Sequence, residues 1–502
     1  MHINPRDSRL LTGLRATFNE LAPLCQGAQS KFLIASAQIL LDELQLRTDS
    51  DFYVEYVRRG VDILAKVPEQ CLTLVSAVDK QNIAGARREI PQQCDSSRSF
   101  AVLAGHIERL RDCFRALIRA GTPTLLGAKD GPFVPMIAWE AEYYARNAQF
   151  KASVIPNGNQ TLTRDALESY LQARFPERTG LRITDFTPLV GGFQKLTILF
   201  TTADEIKGEQ SLVLRGEQPD RFIQLDLGEI PDEYAVVRLA FDAGLPVAEP
   251  LWVETDATLL GRRFMVSRKV PGRNYGTAID VAQKMDPAAA RSLITTLAQL
   301  NCVPLERYSE RIKRSPLGRW LEFESMAENA RANVHYWYDQ LNLRQHNISP
   351  SIELIFQWLI QNVPQDEVTP RLLHCDYGNH NVLIDQGRVT GVLDWESARI
   401  GDPAEDMSYF LQSTAGHIDP LEARALYEKL SGIHISEYRL RYYDVHYTLK
   451  LLMACNLASS LYEHDPQARP EWLQLAMKWV AFGISLVGQK IEAAEQAKRA
   501  GK

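Results

Sequence analysis

Apolar residues recur at helical spacing from the start of the chain. Leu10, Leu11, Leu14, Phe18 and Leu21 share one helical face, and Leu33, Ala37, Leu40, Leu41 and Leu44 form a second stripe. Phe100, Leu103, Ile107, Leu110, Phe114 and Leu117 follow in alternating steps of three and four, the seam by which helices bury against one another. No strand-like alternation interrupts these stripes, so residues 1–155 are read as an all-α N-terminal domain. His106 sits inside the third stripe and is read as a surface or packed residue. "SVIPNGNQTLT" (153–163) gathers Pro, Gly and Asn and marks a boundary. Thr163 is then placed to cap a helix through "RDALESYLQARF".

Beyond residue 180 the period changes to two. "LRITDFTPL" and "KLTILFTT" alternate on either side of a glycine turn, and "SLVLR", "PLWVET" and "RRFMVSRKV" read as further strands. A helix over "DEYAVVRLAFDAG" separates the third strand from the fourth. The expectation is a small antiparallel sheet with one inserted helix over 156–270. A mostly helical segment over 271–502 follows, interrupted by a single hairpin. The fold class is therefore α+β, preceded by an all-α domain.

Composition narrows the setting. Fifty-six basic against 62 acidic residues, a net charge of −6, argue against a general nucleic-acid binder. The seven cysteines are scattered, odd in number and without a CxxC pair, which favours a reducing compartment over a disulfide framework. The first residues lack a signal-like apolar core, and no run approaches a membrane span, so the chain is expected to be cytoplasmic with no membrane contact.

The interrupting hairpin carries the chemistry. "HCDYGNHN" (374–381) is rich in metal-binding residue types, but they are crowded and have no matching Cys/His pair, which disfavours zinc. Cys375 reads as a small packed thiol. "NVLID" and "RVTGVLD" are apolar strands about a tight turn at Gln386-Gly387. Folding there brings Asn381 roughly opposite Asp394, with Asp376 on the loop leading in. An amide oxygen and a carboxylate suit a hard cation such as Mg2+. The loop Asp stays available to receive a hydroxyl proton. That is the set phosphoryl transfer needs.

The stretch resembles the aminoglycoside phosphotransferase and choline kinase superfamily, relatives of protein kinases. The resemblance rests on His374-Cys375-Asp376, Asn381, Asp394-Trp395-Glu396, Gly401-Asp402-Pro403 and Asp406, with Cys375 where the family has Gly. It implies a bilobal protein-kinase-like fold, with a sheet N-lobe and a helical C-lobe. It implies ATP and Mg2+ as cofactors, Asp376 as catalytic base, Asn381 and Asp394 as Mg2+ ligands, and His374 as an orienter of the loop. Gly191-Gly192 would cover the nucleotide phosphates. Arg215 stands where the family has a phosphate-binding Lys, with Glu233 placed to pair with it. The linker around Arg268 to Val270 would hold adenine. Asp402 reads as a helix cap with Glu405 completing a capping box, Asp406 as a support of the loop, and Glu396 as either substrate-facing or exposed.

The resemblance implies a kinase of a small-molecule hydroxyl. "VLR" and "VPGR" lean toward the subgroup similar to kinase domains fused to acyl-CoA dehydrogenases, and so toward a hydroxyacyl-CoA or another catabolic alcohol. The alternative is a non-catalytic nucleotide-binding scaffold, favoured by Arg215 in place of Lys. The N-terminal helices are expected to serve a homodimer or a protein partner.

Overall fold

The computed structural model describes residues 50–96, 99–121, 133–147, 162–189, 195–218, 225–276, 285–342, 349–464 and 470–501. The stripes before residue 50 and the Gly191-Gly192 loop lie outside the described residues. The chain falls into two compact units: Met1–Gly158 with Arg331–Val363 and Val445–Lys502, and Asn159–Ala330 with Pro364–Asp444.

In the first unit the third apolar stripe becomes helix Phe100–Ala120, which buries Leu103, Ile107, Leu110, Phe114 and Leu117. His106 is buried there too, and burial lowers its imidazole pKa. Helices Ser50–Ala65 and Phe133–Asn147 join through Tyr56 and Trp139, whose rings stack at 4.5 Å while the indole N–H donates to the Tyr56 carbonyl at 2.9 Å. Gly60 is required at this contact, because a Cβ there would lie 2.8 Å from Leu110 and 2.9 Å from Trp139.

The second unit opens with helix Arg164–Arg174, capped by the Thr163 hydroxyl, which accepts from Ala166 N–H at 3.3 Å. Five strands follow: β1 Arg182–Pro188, β2 Lys195–Asp204, β3 Gly208–Glu217, β4 Pro250–Glu254 and β5 Phe264–Arg268. They make an antiparallel sheet in the order β1-β2-β3-β5-β4, with helix Ile230–Asp242 between β3 and β4. Alternation sorts the faces. Leu196, Ile198, Phe200, Leu212, Leu214, Phe264 and Val266 pack against Leu167, Tyr170 and Leu171 of the first helix. Each fully buried apolar side chain here contributes about 1.5–3 kcal/mol. The opposite parity, including Lys195 and Arg215, faces the other way, and the register pairs Arg215 with Thr197 and Lys195 with Glu217.

Four short strands lie among the helices farther along the unit. β7 Val382–Asp385 and β8 Arg388–Val392 form the expected hairpin, with Gln386 and Gly387 both at positive φ as a two-residue primed turn requires. Beyond expectation, β6 Arg371–Leu373 pairs with β9 Arg399–Gly401, so two strand pairs, not one, interrupt the helices. The two-way backbone bridge between Arg273 and Ile384 ties the chain after β5 to the hairpin.

Candidate active site

The loop between β6 and β7 carries Asp376, and buried groups set its shape. Asp406, fully buried near the start of helix Ala404–Ser413, accepts from the amides of His374 at 3.0 Å and Cys375 at 2.7 Å and from the Asn301 side chain at 3.1 Å. Three donors on one carboxylate hold the loop from behind. Burial pushes the Asp406 carboxyl upward, against the pull of these bonds. The His374 ring sits 2.9 Å from the Leu393 carbonyl, and burial lowers its pKa. These contacts make His374 and Asp406 supports of the loop backbone. Cys375 is buried with φ 61°, a left-handed conformation that glycine adopts at lower cost.

Asp376 and Asn381 meet directly. The Asn381 side-chain amide donates to Asp376 Oδ2 at 2.8 Å and to its carbonyl at 3.0 Å. The other carboxylate oxygen faces His380 Nε2 at 3.7 Å. Burial raises the Asp376 carboxyl, but the facing His380 imidazole and a hydrogen bond from Tyr409 outweigh it and hold the group below the usual carboxylate range. Asp376 is therefore an ionised acceptor near neutral pH, able to take a hydrogen bond from a hydroxyl.

Across the hairpin, the Asn381 carbonyl accepts from Leu393 N–H at 2.8 Å, after an irregularity between Leu383 and Ile384 shifts the register by one. Asp394 follows in left-handed conformation, φ 65° and ψ 63°. It turns to the sheet, where Arg215 Nη2 forms an ion pair with its Oδ1. Arg215 Nε also lies 2.9 Å from Glu233 Oε1, on the first turn of helix Ile230–Asp242. These carboxylates raise the Arg215 pKa, against the effect of burial. The chain thus brings Asp376, Asn381, Asp394, Arg215 and Glu233 into one connected set.

Two expected residues stand apart from that set. Arg268 ends β5 in an exposed pair with Glu249, Nε to Oε2 2.6 Å, and Val270 packs toward Gly391. Asp402 caps its helix as expected, accepting from Ala404 N–H at 2.9 Å. Glu405, however, pairs with buried Arg399 rather than closing a capping box. The sequence reading missed Lys195. Its side chain is 2% exposed and its Nζ lies 3.4 Å from Glu396 Oε2, itself 3.9 Å from Arg215 Nη2. The parity it shares with Arg215 on adjacent strands was the available signal.

No group of three or more His, Cys, Asp or Glu side chains suited to a metal is found among the described residues. Asn381 Oδ1 and the Asp394 carboxylate, whose Oδ1 pairs with Arg215, are hard oxygens and fit Mg2+ if phosphate and water complete its shell. No helix among the described residues is long and apolar enough to cross a membrane.

Comparison with known proteins bears on this geometry. The chain is 31% identical over 211 residues to acyl-CoA dehydrogenase family member 11 of Gallus gallus, a match covering 41% of this chain and 26% of that protein. The chain therefore spans about a quarter of the length of that curated relative. It is 23% identical over 237 residues to hygromycin-B 4-O-kinase of Escherichia coli, covering 45% of this chain and 65% of that one. A solved macrolide 2'-phosphotransferase of Brachybacterium faecium superposes with a TM-score of 0.43 at 19% identity, covering 62% of this chain and 97% of that one. Residues 185–443, just over half of the sequence and including every residue of the set above, match the phosphotransferase enzyme family, and the chain belongs to that family.

Proposed function

We propose that this chain is an ATP- and Mg2+-dependent phosphotransferase whose acceptor is the hydroxyl of a small molecule. The observation that carries the reading is the Asp376–Asn381 pair, set on a loop clasped by Asp406 and joined across the hairpin to Asp394 and Arg215. In this reading the acceptor hydroxyl donates to Asp376, which orients it and receives its proton. The acceptor oxygen bonds the γ-phosphorus, the bond from that phosphorus to the bridging oxygen breaks, and ADP leaves with the electron pair. Asn381 and Asp394 would hold Mg2+, which when bound offsets charge on the phosphate oxygens. Arg215, fixed by Glu233, would address the nucleotide phosphates, as a guanidinium can do bidentately.

A hydroxyl-bearing acyl-CoA is the acceptor class we favour, on the strength of the match to acyl-CoA dehydrogenase family member 11. We extend the reading to a reducing, cytoplasmic setting, on the scattered, odd-numbered cysteines of the sequence. The test is ATP turnover by the purified chain against a panel of alcohols that includes hydroxyacyl-CoAs, with phosphorylated product identified by mass spectrometry. Asp376→Asn is expected to lower turnover by about 100-fold to 10,000-fold, the usual scale for a positioned base, with nucleotide binding kept. Full turnover in that variant would sink the assignment.

A second reading has one observation behind it. Arg215 spends Nη2 on Asp394, a group the reaction would need for the cation. A nucleotide-binding scaffold would show binding of ATP with no acceptor-dependent turnover across the panel.

A further inference from the structure

Two cations, buried Lys195 and part-buried Arg215, run in parallel across the same gap. Arg215 joins Glu233, on helix Ile230–Asp242, to Asp394. Lys195, two residues along on the neighbouring strand and on the same face, joins the Gly228 carbonyl, just ahead of that helix, to Glu396, two residues after Asp394. The two arms meet at Glu396, whose Oε2 lies 3.4 Å from Lys195 Nζ and 3.9 Å from Arg215 Nη2. A lysine whose side chain is 2% exposed has given up nearly all its water, a cost offset only by fixed partners such as these. It is held too firmly to be a mobile surface cation.

The arms differ in what they hold. The Arg215 arm ends on Asp394, the carboxylate proposed above for Mg2+. A divalent cation on Asp394 weakens its pairing with the guanidinium, because the two positive groups repel at close range. The Lys195 arm ends on Glu396 and the Gly228 carbonyl, neither of which that role requires.

We propose that Lys195 is a positioning residue. Through Glu396 it keeps the Asp394 turn docked on the sheet and on the helix that carries Glu233, so that Asp394 stays in place when Arg215 is drawn toward phosphate. The inference rests on the nucleotide-binding part of the proposed function and on no particular acceptor.

The first measurement is the thermal stability of the ligand-free chain in a double-mutant cycle of Lys195→Met and Glu396→Gln. A working arm predicts coupling: the double variant melts no lower than the worse single variant. The second is calorimetric titration of Mg2+ with AMP-PNP into wild type, Lys195→Met, Lys195→Arg and Arg178→Met. Arg178 forms a buried pair with Asp204 at the far end of the sheet, so Arg178→Met controls for general destabilisation. Lys195→Met is expected to weaken Mg2+-dependent binding by about 10-fold to 100-fold, the scale seen when a group behind a metal ligand is lost. Lys195→Arg should recover part of it, and Arg178→Met should bind as wild type does. Additive melting shifts, or wild-type binding by Lys195→Met, would overturn the role of Lys195 alone. Absence of Mg2+-dependent binding by wild type would overturn the proposed function itself, and that result is distinct from the other two.

Discussion

Single residues set the shape of the Asp376 loop. Asp406 accepts from three donors, so replacing it with Asn turns an amide NH2 toward an N–H. Asp406→Asn is expected to cost about 2–4 kcal/mol, the range for breaking a buried charged network, read as a lower denaturant midpoint. An unchanged midpoint would remove Asp406 from its supporting role. Cys375 behaves differently. At φ 61° a side chain costs about 1–2 kcal/mol, which glycine avoids while giving back part as chain entropy. Cys375→Gly should therefore stay within about 1 kcal/mol of wild type, whereas Cys375→Val, with a branched Cβ in the left-handed region, should unfold earlier on heating. The sequence named Asp376, Asn381 and Asp394 because their types and spacing are chemical. It missed Lys195 because the parity it shares with Arg215 tells only once the two strands are set side by side.

At the scale of elements, period and turn chemistry made most of the second unit legible. The five sheet strands, the inserted helix and the Gln386-Gly387 hairpin each occur where alternation and glycine placed them. The pairing of β6 with β9 did not announce itself, since three-residue β9 holds too little alternation to read. Nor did the irregularity between Leu383 and Ile384, which shifts what faces Asn381 by one residue. The connection from the sheet to the hairpin depends on Gly272 at φ 126°, where a Cβ would lie 2.8 Å from Thr390 Oγ1 and 3.1 Å from the Ile384 backbone. Gly272→Ala combines a forbidden conformation with a backbone clash. It is expected to destabilise by about 1–3 kcal/mol, checked by urea unfolding. A midpoint equal to wild type would mean that the bridge to Ile384 is dispensable.

For the whole molecule, buried imidazoles give stability a pH dependence. His106 and His374 both titrate below the usual histidine value because burial disfavours their charged forms. As the pH falls below about 6.5, the unfolded chain binds protons that these folded sites refuse, so their contribution to stability falls with pH. His380 runs the other way. Its pKa is raised by Asp376 despite burial, so its contribution is present at low pH and lost as pH rises through the folded value. The variant His106→Gln isolates one term: its melting temperature should fall less steeply than wild type between about pH 6.5 and 5. Parallel curves would show that His106 is not refused a proton.

The clasp of Asp406 on the Asp376 loop also has a kinetic reading. The His374 and Cys375 amides are donors to a buried carboxylate and not members of a helix or strand ladder, so neither can exchange with solvent until the clasp opens. In deuterated solvent these two protons become a clock for the loop. Their exchange rate, followed with and without nucleotide, measures how often the Asp376 loop leaves its seat.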